Sequence, residues 1–132
     1  MDLSGAPDAI CAAVAFLEGR GLSWRKATFL TTTDQQGILG GQSDLVVVIT
    51  ADRGQWSLLV GDTEVQFDMD VWHSVLDDTH MEPNGRPLGE QVAYLRANFP
   101  KIETSLFGSR TTGLLRTARL ERARLVFGPE FL

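Results

Sequence analysis

The chain has 132 residues, 43% of them hydrophobic and 22% charged, and a formal net charge of −5. That length supports a single compact domain over 1–132, able to bury about two-thirds of the surface its unfolded chain exposes, and the composition is that of a globular rather than a disordered protein. No apolar run approaches the roughly 20 residues of a membrane span, and no basic stretch precedes an apolar core at the N-terminus, so neither a membrane partner nor a secretory signal is expected.

Ser4 is placed to cap a helix with Pro7 and Asp8 in its first turn. Ile10, Ala13, Val14 and Leu17 form its apolar stripe, and Gly19 or Gly21 ends it. Cys11 flanks this stripe and has no local base or cation to activate it, so it is expected in the core. As the single cysteine it excludes an internal disulfide and fits a reducing compartment, with cytoplasm the expected location.

Trp24 to Thr33 is rich in β-branched and aromatic residues and predicts a strand, with Asp34-Gln35-Gln36-Gly37 as its turn. Ile38 to Gly41 is a short strand or part of the loop before Asp44. A meander then spans 44–70. Leu45 to Ile49 is a strand apolar on both faces, which calls for cover on both sides by a helix or a partner. Asp52-Arg53-Gly54 turns the chain into Trp56–Val60, and Gly61-Asp62 reads as a two-residue hairpin loop. In the third strand Val65, Phe67, Met69 and Val71 share one face, with Glu64, Gln66, Asp68 and Asp70 on the other.

A short helix follows with Asp70 as its N-cap and Val71, Trp72, Val75, Leu76 and Thr79 facing inward. His80 to Gly89 reads as a loop. Leu88, Val92, Leu95, Phe99, Ile102 and Leu106 then form a helical stripe interrupted by Pro100, which predicts one kinked helix or two abutting ones, ending at Gly108. Thr111 to Phe127 has helix-forming composition without clean spacing, and Leu125-Val126-Phe127 reads as a closing strand. The expected fold class is α+β: an N-terminal helix, an antiparallel sheet of about four strands, then helices packed on one sheet face. Trp24, Trp56 and Trp72 are expected to anchor its core, and Tyr94 to pack with a wet hydroxyl.

Charge is unevenly placed. No basic residue lies between Arg53 and Arg86, while Asp62, Glu64, Asp68, Asp70, Asp77, Asp78 and Glu82 are acidic. Beyond Ser109 the balance reverses, with Arg110, Arg116, Arg119, Arg122 and Arg124. An acidic middle repels nucleic-acid phosphate and attracts a basic partner, which makes these seven acids the candidate partner-binding residues. The competing reading is that the C-terminal arginines fold back and neutralise them.

Catalytic signatures are missing. The glycines form neither a P-loop nor a dinucleotide fingerprint, no nucleophile elbow is present, and Asp68 and Asp70 on a polar strand face would be solvated rather than tuned for proton transfer. His73, Asp77 and His80 fall at i, i+4 and i+7, a metal-ligating combination that Asp70 or Glu82 could complete, against solvent-facing histidines as the plainer account. No cofactor is expected.

In size, acidity and helix–meander–helix order the chain is comparable to small bacterial immunity proteins and to secretion chaperones, a likeness of architecture only. The function expected is a non-enzymatic protein-binding module whose acidic face holds a basic partner, such as an immunity protein bound to a toxin domain. The alternatives are a homodimeric chaperone or adaptor paired through the sheet, and a metal-dependent enzyme built on His73, Asp77 and His80.

Overall fold

The computed structural model of the chain describes residues 1–29, 31, 33–79, 81, 85–106 and 109–128. The elements run α1 (Asp8–Gly19), β1 (Ser23–Phe29), β2 (Gln35–Gly40), β3 (Val46–Asp52), β4 (Gln55–Gly61), β5 (Gln66–Asp68), α2 (Met69–Asp77), α3 (Leu88–Ser105) and α4 (Ser109–Phe127). The fold is α+β, with five strands rather than about four in one antiparallel sheet ordered β1-β2-β3-β4-β5. Among the described residues no helix is long and apolar enough to cross a membrane. Two compact units divide the chain, Met1–Gln66 and Phe67–Leu132.

In the first unit α1 buries Ile10, Ala13, Val14 and Leu17, as their spacing predicts. Ser4 is not its cap: Pro7 holds that position, and the Ser4 N–H instead donates to Asp2. Cys11 is exposed, because one helical step from Ile10 turns it off the stripe. The fifth strand, β2, joins Gln35 to Gly37, expected as a turn, with Ile38 to Gly40, for which a short strand is one of two readings. Its Gly37 lies under the Trp24 ring and the Met1 sulfur, where a Cβ would stand 2.9 Å from that sulfur, so the glycine admits a close approach rather than a reversal. The reversal lies earlier, where Thr31 and Asp34 exchange backbone hydrogen bonds. Buried Gln35 ties the N-terminus to β2, accepting from the Asp2 N–H at 2.8 Å and donating to its carbonyl at 2.7 Å.

β3 carries Val46, Val47, Val48 and Ile49, all buried. Val46 and Val48 are only 7% and 3% exposed in the single chain, so both faces of this strand are covered without a second copy. The β3–β4 hairpin pairs Asp52 with Gln55 and turns on Arg53 and Gly54 alone, both at positive φ, one residue tighter than expected. Gly61 is the last residue of β4, not a turn residue. The following loop is organised by Asp62, whose carboxylate accepts from the Glu64 and Val65 N–H groups at 2.8 and 2.9 Å. Edge strand β1 is mostly exposed, but it carries Arg25 and Lys26 at a register break, which discourages pairing with another chain.

The second unit departs most from sequence periodicity. β5 ends at Asp68, and the alternation read through Val71 is in fact the start of α2. The N-cap is Asp68, not Asp70: its carboxylate accepts from the Val71 N–H at 3.1 Å. In the first helical turn Met69, Asp70, Val71 and Trp72 are all buried. Thr79 lies beyond the helix and is exposed. α3 runs unbroken through Pro100 and buries Val92, Leu95, Phe99 and Ile102; the end expected at Phe107 and Gly108 lies outside the described residues. α4 stays helical through Phe127, so the closing strand does not form. Trp72 is fully buried, while Trp24 and Trp56 are half-buried.

Candidate functional site

On α4, Leu115, Ala118 and Arg122 fall at i, i+3 and i+7, one face of the helix. Leu115 and Ala118 are buried there, so Arg122 is carried inward with them and needs a counter-charge. It finds two. The guanidinium pairs with the Asp68 carboxylate and stands 3.7 Å from Asp70. Arg119, one step round the helix, lies over the Phe67 ring at 5.1 Å.

Asp70 is the buried centre of this cluster. Both its oxygens accept from the Arg86 N–H at 3.2 Å, and one accepts from the Arg86 guanidinium at 3.1 Å. Gly85 allows that approach, with φ of 68° and no side chain to displace the carboxylate. Placing Asp70 on a solvated polar face is therefore corrected. It and Asp68 serve the fold, and the arginine neutralisation weighed from sequence holds for these two acids.

A second cluster joins α2 to α3. His73 Nε2 is 3.1 Å from the Asp77 carboxylate, and the imidazole stacks on Tyr94 with ring centroids 4.1 Å apart. His73 is half-buried rather than solvent-facing, and its Nδ1 is sealed from water without a hydrogen-bond partner among the described residues. The Tyr94 hydroxyl is likewise dry rather than wet. Burial first, then the neighbouring Asp77 carboxylate, pushes its pKa up to about 12. His80, the third residue of the candidate metal trio, lies outside the described residues, as does Glu82. Among the described residues no three His, Cys, Asp or Glu side chains converge on a metal position.

The remaining acids of the candidate set are differently placed. Asp62 holds its loop and Glu64 is exposed beside it, both in the first unit. Asp77 and Asp78 stand at the C-terminal end of α2, where Asp78 takes the left-handed capping conformation and is exposed. From there a cleft of about 420 Å³ opens between α2 and α4, lined by Ser74, Val75 and Asp78 on one side and Arg110, Leu114, Thr117, Ala118 and Glu121 on the other. A smaller one of about 300 Å³ adjoins it through Ser74 and Glu121 and is lined also by Thr79, Met81, Arg124 and Leu125.

Sequence reading missed the α4 wall of this cleft. Its signal was present: Leu114, Ala118, Glu121 and Leu125 recur at i, i+4, i+7 and i+11. It was masked by the other apolar residues of the helix. Of the six large hydrophobic side chains exposed among the described residues, five (Leu114, Leu120, Leu125, Val126 and Phe127) belong to α4. The chain matches no protein-family model, no curated protein and no solved structure.

Proposed function

We propose that the chain is a non-enzymatic protein-binding module that receives a basic segment of a protein partner in the cleft between α2 and α4. Its most concrete form is a bacterial immunity protein that neutralises a toxin. The observation that carries this reading is the position of Asp78, exposed at the C-terminal end of α2 on the wall of the cleft. A helix C-terminus bears negative partial charge, so an exposed acid there is unfavourable by about 0.3–1 kcal/mol, and α2 has no basic residue in its last turn to offset it. Asp78 suits the left-handed conformation, but asparagine would suit it equally without the charge. A lysine or arginine from a partner relieves the conflict, Glu121 adds a second carboxylate to a lining that also holds Arg110, and exposed Leu114 and Leu125 offer apolar contact on the same wall. Nuclease-type toxins carry basic, phosphate-binding clefts, and an acidic surface seated in one competes with its substrate.

Asp68 and Asp70 leave the partner-binding set under this reading, because their charges are already matched by Arg122 and Arg86. A photo-crosslinking residue placed at Leu114 in cells tests it. The expected product joins the chain to a basic protein, and Asp78→Asn with Glu121→Gln weakens binding of that protein about tenfold or more, increasingly so at low salt. Capture of an acidic protein, or binding indifferent to the double neutralisation, overturns the reading.

A further inference from the structure

α4 carries a second seam that the cleft does not use. Gly113, Arg116, Leu120, Ala123 and Phe127 recur at alternating steps of three and four, the spacing of a coiled-coil seam, on the side of the helix away from Leu115 and Ala118. Leu120 is 48% exposed and Phe127 66%. Apolar exposure alone does not name an occupant, but the charges do. Arg116 lies in the seam, Arg119 and Arg124 sit at the flanking positions, and no acidic residue joins them there. We propose that this seam docks an amphipathic helix of a protein partner whose apolar stripe is bordered by acidic side chains.

Arginine suits that role because its stem extends the apolar surface while the guanidinium takes a carboxylate in bidentate geometry. Arg119 is partly committed to Phe67, which leaves Arg116 and Arg124 as the principal pairing cations. A second copy of α4 is a poor occupant, since the flanking positions of its own seam hold Arg119 and Arg124 and no acid, so an identical helix offers neither arginine a complementary charge. The seam borders the cleft, since Arg124 also lines the smaller of the two cavities, but Leu120 faces the seam and Leu114 the cleft, which lets the two surfaces be tested separately.

The test titrates the full chain with a synthetic peptide of about four heptads, Leu at a and d and Glu at e and g, beside a matched peptide with Lys at e and g. The Glu-bordered peptide is expected to bind at least about tenfold more tightly, with the difference shrinking as salt rises. Leu120→Asp should abolish that preference and Arg116→Glu should reduce it about tenfold, both with unchanged unfolding, whereas Leu114→Asp should leave it intact. If Leu120→Asp disturbs the fold, Leu120→Gln serves in its place. Equal binding of the two peptides, no binding of the Glu-bordered one, or loss on Leu114→Asp alone overturns the proposal. So does self-association of the chain that Leu120→Asp abolishes, which would assign the seam to a second copy.

Discussion

Asp70 Oδ2 stands 2.6 Å from where a Cβ would sit at Gly85. The acid and the glycine are therefore mutually required. Any side chain at 85 displaces a buried carboxylate that is holding Arg86 and facing Arg122, and it must also adopt a φ of 68°. Gly85→Ala is expected to destabilise the chain by about 2–3 kcal/mol, the sum of left-handed strain and a disturbed ion pair. Denaturant unfolding checks it, and a loss below about 0.5 kcal/mol would mean that Asp70 is not held as tightly as the hydrogen bonds indicate.

Arg122 and Asp68 should behave as a coupled pair. Asp68→Asn keeps an oxygen for the Val71 N–H and so isolates the loss of charge from the loss of the cap. Both side chains are partly exposed, so solvent screening limits the pair, and a coupling of about 1 kcal/mol is expected in a double-mutant cycle with Arg122→Gln. Additive single effects would show that the contact contributes nothing measurable.

Tyr94 is the only tyrosine, so its ionisation can be followed by ultraviolet absorbance without ambiguity. Its pKa, raised by burial and by Asp77, should give a midpoint near 12 rather than the usual value near 10. A raised folded pKa favours the protonated folded state, so this contribution to stability is complete below about pH 10 and is lost as pH climbs through the folded value. Tyr94→Phe should lack that alkaline loss. At neutral pH it should cost little, since it removes a buried hydroxyl that has no hydrogen-bond partner among the described residues. Ionisation near pH 10 in the folded chain would place the hydroxyl in water.

How much of this was legible depended on whether one physical signal dominated each stretch. Val46 to Ile49 is a short unbroken β-branched run and Val92–Leu95–Phe99–Ile102 a clean helical stripe, and both elements form where those signals place them. Alternation failed between Phe67 and Val71 because a helix starting at Met69 buries consecutive residues in its first turn, which the period of a strand cannot represent. The start of β2 is obscure in the sequence because Asp34 and Gly37 are turn-favouring residues, whereas the use of Gly37 is to admit Trp24. α4 was obscure because it carries apolar residues on several faces: Leu115 toward the interior, Leu114 and Leu125 on the cleft, Leu120 and Phe127 outward. The seven acids could not be sorted by sequence, because only the phase of α4 decides which of them Arg122 reaches.

The division of those acids into fold-holding and available groups is the claim on which the binding account depends, and two neutralisations in one helix test it most directly. Asp70→Asn and Asp78→Asn each remove one charge with almost no change in shape. Compared by denaturant unfolding, Asp70→Asn should lower stability by about 3 kcal/mol, because it leaves Arg86 and Arg122 without their buried counter-charge. Asp78→Asn should leave stability unchanged or raise it by up to about 1 kcal/mol, because it removes an acid from the negative end of α2. A similar loss for both, or a larger one for Asp78→Asn, would make Asp78 a structural residue and contradict the account.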